Sequence, residues 1–121
     1  MISWGTIVYG AALSALFAAV ALLLTGERRP TILCVAIAAA FIAPIGWNAV
    51  LRATHAREFF TDAPISVLPA SWQDTGSGVV TLAVASVAIA LAAPREPVRR
   101  AVLRSALVCA LVAFVVDVYL Y

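Results

Sequence analysis

Four apolar stretches follow one another through this chain, roughly at 4–24, 31–51, 76–93 and 101–121, and they occupy most of its length. A helix rises about 1.5 Å per residue, so about 20 apolar residues cover the ~30 Å hydrocarbon core of a bilayer. A soluble domain of this size has no need of four such runs. The spacing predicts an all-α membrane protein: a compact four-transmembrane-helix bundle, built as two out-in-out hairpins in a single integral membrane domain covering residues 1–121.

Composition agrees with that reading. Hydrophobic residues make up 64% and charged residues 12%, where a soluble domain carries about 25% charged. The net charge is only +2, and all eight basic residues are arginines. No basic stripe lies away from the membrane-flanking segments, so nucleic acid is excluded as a partner. Membrane lipids are the expected surroundings. The first run has no positively charged start and ends in Thr25-Gly26-Glu27-Arg28-Arg29. It therefore reads as a retained span rather than a secretory leader.

The arginines set the expected orientation. Arg28, Arg29, Arg95, Arg99, Arg100 and Arg104 flank the first and third connections, while only Arg52 and Arg57 belong to the second. Arginine in a short loop stays cytoplasmic because carrying it across the membrane is costly. Connections one and three are expected inside; both termini and the long connection at 52–75 are expected outside, in the plasma membrane of the cell.

Packing should depend on small residues. Ala11, Ala15 and Ala19 recur every four residues in the first span, and Ala36, Ala39, Ala40 and Ala43 form a band in the second. Without a hydrophobic drive to join helices in lipid, close backbone approach through alanine supplies the association. Pro44 interrupts the second span. It cannot donate a backbone hydrogen bond, so the Ala40 carbonyl loses its partner and a kink is expected there. Asn48 stands one turn further on, where its amide can bond backbone or the outer loop. Cys34 and Cys109 read as small buried hydrophobes.

The remaining polar chemistry falls between Asn48 and Ser77. Arg52, His55, Arg57 and Glu58 are expected to carry the second span beyond the membrane. His55, the only histidine, would need more ligands than Glu58, Asp62 and Asp74 offer to hold zinc, and no span carries a histidine for haem. Neither a metal nor a cofactor is expected. Phe59 to Pro69 is too apolar for water and too proline-broken for a span, so Phe59 and Phe60 mark a cap or a docking face. Ser71 and Asp74 form a capping-box-like pattern before the third span. Trp72 joins Trp4, Trp47, Tyr119 and Tyr121 in an aromatic belt. Asp117, near the end of the fourth span, can meet interfacial water or pair with Arg52.

Three functions are compatible with these residues. The chain can be a non-catalytic accessory subunit of a larger membrane assembly, docking on other membrane subunits through its outer loop. Its candidate surface is then Asn48, Arg52, His55, Phe59, Phe60, Asp62, Trp72, Asp74 and Asp117. Alternatively it is a small transporter or channel working as a homo-oligomer around Asp117, Asn48 and Arg52. A lipid-acting enzyme using His55 with Asp62 or Asp74 ranks last, because no nucleophile or ligand set accompanies them. The first span holds no Asp, Glu, His, Lys or Arg and the chain has no Cys-x-x-Cys, which removes a first-span acid carrier and thiol-redox chemistry. The accessory subunit, not an enzyme, is the leading expectation.

Overall fold

The computed structural model describes residues 3–55, 70–92 and 99–120. Four helices account for nearly all of them: α1 (Trp4–Leu24), α2 (Pro30–Ala53), α3 (Trp72–Ala92) and α4 (Arg99–Leu120). Each is long and apolar enough to cross a membrane, and no strand occurs among the described residues. Large side chains such as Leu16, Phe17, Ile42, Val87 and Leu111 face outward. Helices apolar on every side are the form suited to lipid. The two ends of the bundle differ and are called here the tryptophan end (Trp4, Trp47, Trp72, Tyr119) and the arginine end (Arg28, Arg29, Arg104).

Local chemistry fixes the helix boundaries. Ser3 caps α1 by accepting the Thr6 N–H at 3.2 Å. α1 stops in a Schellman turn: Gly26 takes φ +89°, its N–H donates to the Leu23 carbonyl at 3.1 Å, and the Glu27 N–H donates to that of Leu22 at 3.0 Å. Pro30 then opens α2 at its first position, where no amide hydrogen is needed. α2 stays helical through Pro44.

One boundary departs from the expectation. α2 ends at Ala53 and does not continue through His55. The Thr54 hydroxyl donates to the Val50 carbonyl at 2.9 Å, and His55 adopts φ 55°, donating its N–H to the Arg52 carbonyl at 3.3 Å. A left-handed residue after the cap stops a helix, and histidine fills a place usually held by glycine. α3 starts at Trp72, directly after the expected Ser71 cap, so the helix begins four residues before the apolar run at Gly76. Phe59, Phe60 and Asp62 lie outside the described residues, as do Arg57, Glu58, Tyr121 and the third connection.

The helices pack in chain order around a ring, most extensively α3 against α4, and α2 also touches α4 across the middle. α1 and α3 barely meet. The core at mid-depth is nearly all small: Ala18, Ala36, Ala39, Ala40, Ala85, Ala106 and Cys109, with Leu22, Ile32 and Ile89 toward the arginine end. The alanine band of α2 is buried as expected. In α1 the buried stripe is Ile7, Gly10, Ala11, Ser14, Ala18 and Leu22, and it leaves out Ala15 and Ala19. Ala15 and Ala19 each stand one residue, about 100° of rotation, from the buried Ser14 and Ala18, which turns them off the contact face. Cys109 is buried, its thiol 3.5 Å from the Ala36 carbonyl, while Cys34 is exposed on the outer surface.

Candidate functional site: a buried polar cluster at the tryptophan end

Antiparallel packing brings the last turns of α2 and α4 beside the first turn of α3, and there the bundle buries most of its polar side chains. Asn48, Gln73, Asp74, Ser77 and Asp117 are each 2% exposed or less. Burial of this kind is costly unless partners are supplied, and most of these groups find them.

Asn48 lies one turn beyond Pro44 and donates its side-chain N–H to the Pro44 carbonyl at 2.9 Å. Its own carbonyl oxygen faces α3. There the Gln73 side-chain amide donates to Asn48 Oδ1 at 3.4 Å and to Asp117 Oδ2 at 3.3 Å. One glutamine thus joins three helices. Its backbone carbonyl accepts the Trp47 indole N–H at 2.9 Å, and the indole ring lies against Gly76, where any Cβ would collide with it.

The cap of α3 forms as the Ser-x-x-Asp pattern implies. Asp74 Oδ2 accepts the Ser71 N–H at 2.7 Å and the Ser71 hydroxyl at 3.0 Å, while Ser71 Oγ accepts the Asp74 N–H at 3.3 Å. A negative group at the positive end of the helix is favourable as well.

Two atoms in this cluster have no hydrogen-bond partner: Asp117 Oδ1 and Ser77 Oγ. Ser77 faces the Asp117 carboxyl, and Asp74 lies close enough for the two acids to feel each other. Ser14, Thr81 and Ser105 also carry buried hydroxyls without partners deeper in the bundle. Gln73, Ser77 and Thr81, four residues apart, line the buried face of α3 from the tryptophan end to mid-depth.

The other expected residues are distributed around this cluster. Arg52 does not reach Asp117; its guanidinium lies 4.7 Å from the centre of the Trp4 ring, tying α2 to α1. Trp72 is exposed at the belt, and His55 is exposed on its turn. No three metal-binding side chains converge among the described residues. An apolar groove of about 270 Å³ between α1 and α4, lined by Leu13, Phe17, Val115, Val116 and Tyr119, faces outward. At the arginine end, Glu27 is 3% exposed and accepts the Arg28 and Arg29 N–H groups at 3.1 and 3.0 Å and Arg104 Nη2 at 3.3 Å.

Sequence reasoning missed Gln73 and the burial of Glu27. A signal for Gln73 existed: with the helix begun directly after the Ser71 cap, positions 73, 77 and 81 fall on one face with Ala85 and Ile89. Nothing local to Glu27 marked it, since the Arg104 that meets it is 77 residues away. Comparison of the chain with protein-family models, with curated proteins and with solved structures finds no match.

Proposed function

We propose that this chain is a multi-pass protein of the cell membrane, with both termini outside, that serves as a non-catalytic subunit of a larger membrane assembly and docks through its outer loop. The observation that supports it is the way the chain uses its polar groups. Trp47 and Asn48 bond Gln73 across helices, Ser71 and Asp74 bond each other in the cap of α3, and the interior beneath them is packed with alanine. A closed interior leaves the outer surface and the loop between α2 and α3 to do the work. Phe59, Phe60, Ile65, Val67 and Leu68 in that loop are the apolar side chains such a contact would bury.

Two experiments test this. In a Cys34→Ala, Cys109→Ala background, Ser3→Cys and Ser66→Cys should react with an impermeant thiol reagent on intact cells, and Thr25→Cys should not; labelling at Thr25 alone reverses the orientation. Phe60→Asp should leave the bundle folded but reduce the size of the complex extracted in mild detergent, because a charge buried at a subunit contact is costly.

One observation favours a second reading. The Gln73 amide links Asn48 to Asp117, two of the residues an oligomeric carrier or channel would use. Under that reading Asp117→Asn abolishes transport of a solute while Phe60→Asp leaves the complex unchanged.

A further inference from the structure

The acid that the helix-to-helix bonding leaves incompletely partnered is Asp117. It is 1% exposed, Oδ2 accepts one long hydrogen bond from Gln73, and Oδ1 accepts none. Among the described residues, no arginine bonds to it. A carboxylate taken this far from water needs a positive partner. Opposite it stands Ser77 Oγ, fully buried, which makes no hydrogen bond of ordinary length but lies close enough for its hydroxyl to bear on the Asp117 carboxyl. A carboxyl buried to 1% exposure with only long contacts to its two oxygens is rare in a folded protein. Asn48 Oδ1, one amide away, is held only by the 3.4 Å contact from Gln73.

We propose that Asp117, Ser77 and Asn48 form a binding site for a small monovalent cation of the sodium class. The donors are all hard oxygens, which excludes the soft metals that seek sulfur and imidazole. A calcium site gathers six to eight oxygens, usually with several carboxylates; here Asp74 is committed to the Ser71 cap, and one acid remains. Asp117 lies in the last turn of α4, whose unpaired carbonyls give that helix end a partial negative charge. Charge, donor type and helix field therefore select one positive charge. The cation would join α3 to α4 directly and, through Asn48, to α2.

The inference does not depend on the docking reading: a protein that ignores sodium can still dock, and one that releases its complex on Phe60→Asp can still bind sodium. The test uses the purified full chain in detergent, with sodium chloride exchanged for choline chloride at constant ionic strength. A ligand specific to the folded state raises the unfolding midpoint with its concentration. Wild type should gain about 4–8 °C once sodium passes a few times its Kd, and the midpoint should keep rising with the logarithm of sodium concentration. Asp117→Asn should show no sodium response, and Ser77→Ala should need at least tenfold more sodium for the same shift. If Asp117→Asn does not fold, Ser77→Ala and direct binding of radioactive sodium to wild type carry the decision. A wild-type midpoint indifferent to sodium, an undiminished response in both variants, or a midpoint that follows pH and ignores sodium would overturn the site. The last of these assigns a proton to Asp117 instead.

Discussion

The two ends of the bundle are held by different means. At the arginine end, α1 and α2 are joined by residues 25–29 alone and α3 and α4 by 93–98. Short covalent links do the positioning there, and side chains add a turn-local acid, Glu27, with one ion pair to a half-exposed Arg104. At the tryptophan end, only residues 54–71 connect any two helices. A long connection constrains its ends weakly. Here the restraint is non-covalent: Trp47 to Gln73, Gln73 to Asn48 and Asp117, Arg52 on Trp4. Among the described residues, most of the buried polar side chains lie where the chain itself does not tie the helices together.

Substitutions at the two ends should therefore differ in cost, read as unfolding free energies in one detergent. Asp74→Ala removes an acceptor shared by the Ser71 N–H and hydroxyl in a buried cap; we expect the largest loss, about 2–3 kcal/mol. Ser71→Ala keeps the carboxylate but loses the cap to the Asp74 N–H, for about 1 kcal/mol. Gln73→Leu fills similar volume and gives up two long bonds between helices, each worth about 0.6 kcal/mol in membrane proteins. An effect above that of Asp74→Ala would mean the glutamine organises the whole end.

At the other end, Arg104→Ala should cost less than about 1 kcal/mol, because the pair is half-exposed, and the difference should shrink further in high salt. An Arg104→Ala protein as destabilised as Asp74→Ala would remove the asymmetry altogether.

Much of the scaffold was legible beforehand, because span length, the Ser71–Asp74 cap and the α2 alanine band depend on residues close in sequence. The candidate cluster was legible only in part. Asn48 and Asp117 stood out as polar groups in or near apolar runs, but their link is Gln73, hidden because it stands ahead of the apolar run at Gly76. Asp117 was matched with Arg52 on charge alone. The structure gives Arg52 to an aromatic face, since Trp4 begins the neighbouring helix at the same depth. Pairings between helices depend on rotation about each axis, and a shift of one residue turns that rotation by about 100°. Composition carries no record of it.

The contact between α2 and α4 across the ring has a geometric consequence. Four helices touching only their neighbours would enclose a square with a gap along its axis. With one diagonal closed, the cross-section becomes a rhombus divided into two triangles, α1–α2–α4 and α2–α3–α4, sharing a common wall. Three helices in mutual contact leave an interstice that alanine-sized side chains already fill. The molecule thus has no central axis to open, and widening one triangle must compress or displace the wall of the other. A solute crossing at this protein would travel along the seam between copies, or along a flank of α1 or α3, the two helices that each belong to one triangle and hardly touch each other.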